Sequence, residues 1–327
     1  MKSSSELFPV ALMKAEVVAE RFVEDTYLLK PNNSQDKSVQ IALTRLGFSD
    51  DQKSLRGTPV ILIHGSFTNR GFWLSSKGKG LAAALLEHNF DPWMLEMRGH
   101  GDSPANKDYN NNSVLQYAEF DLPAVADFVT EQTQQTPHWI GHSLGGVTIS
   151  TALASGHLNE KRVGSVALFG AQVSKYPLLL RVPGIRLIAK GLLALRQKNI
   201  ISPMGPEQEP IGIAKEFVRW AGVFTGWRPR KGKSFWSTMD RLNKPLIAFG
   251  AQKDKGDPAK YCQKLAQAIS KNSEYHLLSK KNGYSKDYGH VNMVISKEAE
   301  REVWPKLINW LKDITKEGIN NDSICNS

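Results

Sequence analysis

The hexapeptide Gly141-His142-Ser143-Leu144-Gly145-Gly146 constrains this chain more than any other stretch. It joins a short apolar run, 138–141, to an Ala/Ile/Thr-rich stretch, 145–155, that reads as a helix. A serine hydroxyl is a weak nucleophile unless it is held outward and given a base. A sharp strand-to-helix turn holds it, and glycines flank it because side chains there would strike neighbouring backbone. The G-x-S-x-G pattern alone is weak, since glycine and serine are common. Its place between strand and helix predicts a nucleophile elbow with Ser143 at the tip. An ordinary glycine–serine turn is the bland alternative, and it would require no partners downstream.

The chain around the elbow alternates strand-like and helix-like patterns. Residues 59–64 (PVILIH) are almost wholly apolar, as in a strand buried on both faces. Residues 81–88 read as a helix and 92–97 as a strand ending in the turn Arg98-Gly99-His100-Gly101-Asp102-Ser103. An amphipathic helix follows at 114–133, with Pro123 near the start of its most periodic part, where proline is tolerated. Strands are predicted at 163–169, 245–250 and 274–278, a helix at 258–270, and a closing helix at 296–316. Edge strands are expected around 17–29 and 39–46. This predicts an α/β fold with a mostly parallel sheet covered by helices on both faces. One gap is too long for a simple crossover and too apolar for disorder. Residues 175–236 are therefore read as a cap inserted over the sheet edge where α/β active sites form. The core would comprise 1–174 and 237–318, with 319–327 as a flexible tail.

The elbow needs partners, and the sequence offers them in order. Leu144, at a helix N-terminus, can donate its backbone N–H to an oxyanion. A second donor is expected from the loop His64-Gly65-Ser66-Phe67, with Ser66 the first choice and Phe67 the alternative. His64 ends a buried strand and reads as structural. The loop after strand 245–250 carries two carboxylates, Asp254, followed by Pro258 four residues on, and Asp257, which is also placed to cap a helix. Asp254 is favoured as the acid. His290, in Tyr288-Gly289-His290 after the last strand, is the candidate base. The chain order is then Ser143, acid, His290, the order that a nucleophile elbow of this kind requires. His100 and His142 read as structural or pocket-wall residues.

Composition narrows the partners. With 327 residues, 41% hydrophobic and 23% charged, the chain can bury a core without staples. Its cysteines, Cys262 and Cys325, predict neither a disulfide framework nor a metal site, and Cys262 groups with Leu265, Ala266 and Ile269 as a buried thiol. No organic cofactor is indicated. No signal-peptide core is evident at the N-terminus, and no run reaches the roughly 18 apolar residues of a membrane span. A cytoplasmic location is expected. The net charge is +10, yet residues 176–236 hold eleven basic and three acidic residues, a net of +8. The rest is close to neutral, unlike a nucleic-acid-binding protein. Residues 176–203 interleave Leu and Ile with positive charges, which suits either a packed cap with solvated charges or a peripheral membrane contact. Trp220, Phe224, Trp227 and Trp236 read as packing residues that together suggest an apolar substrate chamber.

HGSF, RGHGDS, GHSLGG and the Gly289-His290 pair resemble the α/β-hydrolase superfamily over about 59–311, most of the chain. More specifically, Phe90-Asp91-Pro92-Trp93 with Arg98-Gly99, and Phe120-Asp121-Leu122-Pro123-Ala124, are similar to the acid-lipase branch. The chain also resembles uncharacterised bacterial hydrolases ending in a DYGHVNM…EVWP-type segment. The resemblance implies Ser143, Asp254 and His290 as a triad, and a lipase-like esterase acting on a small-molecule ester, acyl-chain or lipid-like. Secreted acid lipases carry a signal peptide and this chain lacks an evident one, so extracellular fat digestion is not expected. Thioesterase, amidase or acyltransferase chemistry would use the same triad, and a non-catalytic binding protein on the fold is the reading from outside enzymes.

Overall fold

A computed structural model describes residues 10–50, 57–195, 199–222 and 226–325. Nine strands form one sheet in the order β1-β2-β3-β5-β4-β6-β7-β10-β11. The first three, Val10–Val18, Phe22–Leu29 and Ile41–Phe48, are antiparallel, and β3 runs antiparallel to β5 (Phe90–Glu96). From β5 through β4 (Thr58–Ile63), β6 (His138–His142), β7 (Val166–Phe169), β10 (Leu246–Ala251) and β11 (Ser273–Leu278), every pairing is parallel. The predicted strand 17–29 is instead two strands. Ala19 and Glu20 adopt left-handed φ of 51° and 60°, and they turn the chain from β1 into β2.

The apolar run of β4 shows why the central strands read as continuous hydrophobes. Ile61 and Ile63 enter one core with Trp93 and Trp139, while Val60 and Leu62 enter the other with Met94 and Phe169. Successive side chains point to opposite faces, so a strand covered on both sides reads as a near-continuous apolar run. The first core is closed by α2 (Leu122–Thr133) and α3 (Leu144–Ala154), the second by α1 (Leu81–Glu87) and the closing helix. Pro123 lies in the first turn of α2, where its missing N–H costs nothing. The helix before it is not uniform: Val114–Gln116 passes through a π turn, Tyr117–Asp121, before α2 begins.

Between β7 and β10 the chain leaves the sheet. It forms α4 (Pro183–Leu195), a two-stranded pair β8–β9 (Ile200–Ile201 and Gln208–Glu209) and α5 (Ile211–Trp220). Trp220 and Trp227 are buried in the core beside α3, and Trp227 Nε1 donates to Thr151 Oγ1 at 3.1 Å. These tryptophans brace the insertion on α3; Phe224 lies outside the described residues. After β10 come α6 (Ala259–Ile269), whose buried face includes Cys262, and α7 (Trp304–Cys325). The stretch 319–325, expected as tail, is helical backbone that continues α7. Among the described residues no helix is long and apolar enough to cross a membrane.

Candidate active site

Ser143 caps α3 with φ 51° and ψ −117°, a strained conformation for a non-glycine residue. Such strain persists only where the surroundings enforce it, and here they do. The Ser143 N–H donates to Phe169 O of β7 at 2.8 Å. A methyl group at Gly141 would lie 2.6 Å from Gly146 N, and one at Gly145 would lie 2.4 Å from Ile63 O. One at Gly146 would meet Ala171 Cβ at 2.6 Å. The three glycines are thus where α3 presses on β4, β6 and the strand-β7 loop. Leu144 begins the helix immediately after Ser143.

The loop after β4 crosses beside the elbow: a Cβ on Gly65 would sit 3.2 Å from Ser143 Cβ. Its two candidate donors differ. Phe67, at φ 62°, gives its N–H to Glu209 Oε1 at 2.9 Å, whereas the Ser66 N–H has no hydrogen-bond partner among the described residues. His64 is fully buried; its Nδ1–H donates to Gly65 O (2.8 Å) and its Nε2 accepts the Met97 N–H (3.1 Å). Burial, with the neighbouring His100, lowers its pKa to about 3, so it is neutral and shapes the loop.

Asp254 and His290 come from the loops after β10 and β11. The Lys253 N–H donates to Tyr288 O at 2.8 Å, which ties the two loops together two residues before the histidine. Asp254, with 1% of its side chain exposed, accepts from His290 Nδ1 through Oδ2 at 2.6 Å and from the Asp257 N–H through Oδ1 at 2.8 Å. Asp257 is farther from the ring, 3.7 Å from Nδ1, and its Oδ1 accepts from Gln172 Nε2 at 2.8 Å. It does not cap α6, because Pro258 occupies the N-cap position without a side-chain bond. Burial raises the Asp257 pKa to about 6 despite the adjacent His290. For His290 burial alone would lower the pKa, but the hydrogen bond and charge of Asp254, with the charge of Asp257, raise it. With Nδ1 committed to Asp254, Nε2 is the nitrogen left for a substrate-side proton. Ser143 and His290 share no hydrogen bond in this structure, a contact that commonly tightens only with substrate.

Asp254, Asp257 and His290 each place one potential ligand atom within 4.8 Å of the others, a spacing a cation could also use. The 2.6 Å contact is the length of a charge-assisted hydrogen bond. His142 is the wall between elbow and base. Its Nε2–H donates to His290 O (3.0 Å), and its ring lies 4.6 Å from those of His290 and Phe72. A cavity of about 1100 Å³ near Leu153–Glu160 and Pro229 is lined by neither Ser143 nor His290.

The motif fragments outside the candidate triad turn out to hold the frame. Asp91 makes a bidentate ion pair with Arg45 (2.8 and 2.6 Å), and Asp121 makes one with Arg98 (2.8 and 2.6 Å). His100 Nε2 is 3.3 Å from Glu209 Oε1, Asp102 pairs with Arg70 at 2.8 Å, and Ser103 Oγ donates to Glu96 O at 2.7 Å. Sequence reasoning missed Glu207 and Glu209. Glu207 accepts from Asn69 Nδ2 (2.5 Å) and the Gly101 N–H (3.1 Å), and its own N–H donates to Phe67 O (3.0 Å). These two carboxylates fasten the insertion to the candidate oxyanion loop.

Residues 58–285 match a family model described as alpha/beta hydrolase fold. Curated relatives include lipase member N of Mus musculus, 29% identical over 149 residues, 42% of this chain and 37% of that protein. Human gastric triacylglycerol lipase is 30% identical over 113 residues, 32% of this chain and 28% of that protein. The chain thus matches about a third of the length of these relatives. Similar solved structures include a thermophilic esterase from Thermogutta terrifontis, with TM-score 0.55 and 16% identity over 86% of this chain and 96% of that one. The monoacylglycerol lipase of Paleococcus ferrophilus has TM-score 0.56 and 16% identity over 84% and 99%.

Proposed function

The chain belongs to the α/β-hydrolase fold family, and from that premise we propose that it hydrolyses a carboxylic ester with Ser143 as nucleophile, His290 as base and Asp254 as acid. One observation carries the reading: the 2.6 Å hydrogen bond from His290 to a buried carboxylate, beside a serine in a strained strand-to-helix turn. In the acylation step Ser143 Oγ attacks the ester carbon while His290 Nε2 takes its proton. Asp254 holds the ring in the Nδ1–H tautomer and stabilises the imidazolium. The negative charge that develops on the carbonyl oxygen falls to the N–H groups of Leu144 and Ser66. Collapse of the tetrahedral species expels the alcohol, protonated by His290. Water, deprotonated by the same nitrogen, then attacks the acyl-enzyme and releases the acid and Ser143.

The lipase names of the curated relatives, together with the leucine-rich insertion, favour an ester with an apolar acyl group. Turnover of a p-nitrophenyl ester series of increasing chain length, for wild type and Ser143→Ala, tests the proposal. Labelling by a fluorophosphonate should also vanish in Ser143→Ala. Turnover that survives the substitution would refute Ser143 as nucleophile. A preference for thioesters over oxygen esters would move the substrate to the thioesterase class on the same residues.

A further inference from the structure

The outer surface of α4 and the turn before it is apolar and uncovered. Leu178 and Leu179 in the turn, and Leu187, Ile188, Leu192 and Leu195 on the helix, are each 65–82% exposed. No residue of α4 is buried. Its half-buried positions Arg186, Ala189 and Leu193 follow a spacing of three and four, the flank turned toward α5, with which α4 packs. The remaining face therefore meets whatever surrounds the protein. An apolar patch of this kind, rimmed by polar residues, marks an interaction surface.

The charges around it say which one. From Tyr176 to Pro206 there is no aspartate or glutamate, while Arg181, Arg186, Lys190, Arg196 and Lys198 are all basic. A second copy docking face to face would bring two wholly positive sets together. Nucleic acid would satisfy the charges and leave the leucines in water. An anionic bilayer satisfies both, because leucines enter the acyl boundary while arginine and lysine stay with headgroup phosphates. The 13 residues of α4 fall short of the roughly 20 needed to span the hydrocarbon, so the helix would lie in the plane of the interface. We propose that this face docks the protein peripherally on an anionic lipid surface, with Arg181 and Lys190 at the headgroups. The proposal does not depend on the ester chemistry.

Co-sedimentation of the full chain with vesicles tests it. The chain should bind vesicles of mixed phosphatidylcholine and phosphatidylserine far better than phosphatidylcholine alone, with binding falling at high salt. Arg181→Glu with Lys190→Glu should weaken binding by about 30-fold or more. Leu187→Ser with Ile188→Ser and Leu192→Ser should abolish it. Because these side chains are exposed, both variants should keep the wild-type circular dichroism spectrum and hydrolyse a short soluble ester as the wild type does. Should the protein hydrolyse no ester, the spectrum still reports folding and the vesicle result still decides. Absence of binding to the phosphatidylserine mixture would overturn the proposal. So would salt-insensitive binding to both vesicle types, or a dimer by light scattering that the leucine substitutions dissociate.

Discussion

Replacing Asp121 by asparagine takes away the hydrogen-bonded counter-charge of a buried guanidinium. Arg98 is 1% exposed and its partner's side chain 4%, and two hydrogen bonds of 2.6 and 2.8 Å join them. The next neighbours of the guanidinium are Asn112 Oδ1 at 3.3 Å and the Tyr117 ring at 5.7 Å, and the only other carboxylate acting on it among the described residues, Asp36, makes no hydrogen bond to it. Arginine does not deprotonate to escape, so Asp121→Asn leaves an ionised group buried among weak acceptors. Breaking a buried pair in this way costs about 3–5 kcal/mol. At roughly 2 °C per kcal/mol for a chain this large, Tm should fall by about 6–10 °C. The double variant Arg98→Met with Asp121→Leu removes both charges and should recover most of that loss. Urea unfolding of wild type, the single variants and the double variant closes the cycle. An Asp121→Asn cost below about 1 kcal/mol would refute the reasoning, because the isolated charge would then be solvated. A double variant as unstable as the sum of the singles would refute it too.

Other substitutions address the site. Asp254→Asn should lower kcat by about 10³–10⁴-fold, whereas Asp257→Asn, whose carboxylate is 3.7 Å from the ring, should change it less than about tenfold. The pH profile gives a second reading: since His290 is raised above 6.5, kcat/KM should fall with acid through a pKa above that value. Asp254→Asn removes the chief raising influence, so the residual activity should lose its acid limb at lower pH; an unmoved limb would argue against the pairing. Gly145→Ala places a methyl group 2.4 Å from Ile63 O and should cost about 3 kcal/mol or more, measured by urea unfolding. Glu209→Ala strips the Phe67 N–H of its acceptor and His100 of its counter-charge, for a loss of about 2–4 kcal/mol in thermal unfolding. Glu209→Gln keeps an acceptor and should lose less.

What could be read from the sequence was governed by local sterics and periodicity. The elbow was legible because would-be methyl groups at Gly141 and Gly145 would lie 2.6 and 2.4 Å from backbone, and one at Gly146 2.6 Å from Ala171 Cβ, so glycine alone fits these positions. The central strands were legible because burial on both faces makes them largely apolar along their length, β4 most of all. The β1–β2 hairpin was missed because its left-handed residues are Ala19 and Glu20 rather than the glycine or asparagine that advertises such a turn. Asp91 and Asp121 drew attention as parts of motifs, yet their arginine partners lie 46 and 23 residues away. Glu209 reaches Phe67 across 142 residues. No local pattern announces a carboxylate that meets its donors only after the insertion has folded down on the sheet.

That fastening sets where this enzyme fold can be cut and rejoined. Exchanging the whole stretch 175–236 for one from a relative would remove Glu207 and Glu209, leaving Phe67, Asn69 and His100 with unmet hydrogen bonds. A transplant bounded at 176 and 198 would leave that anchorage untouched and replace the surface of α4, the part that meets the surroundings. New surroundings can thus be sampled, by natural recombination or by an engineer, while the Ser66–Phe67 loop keeps its support.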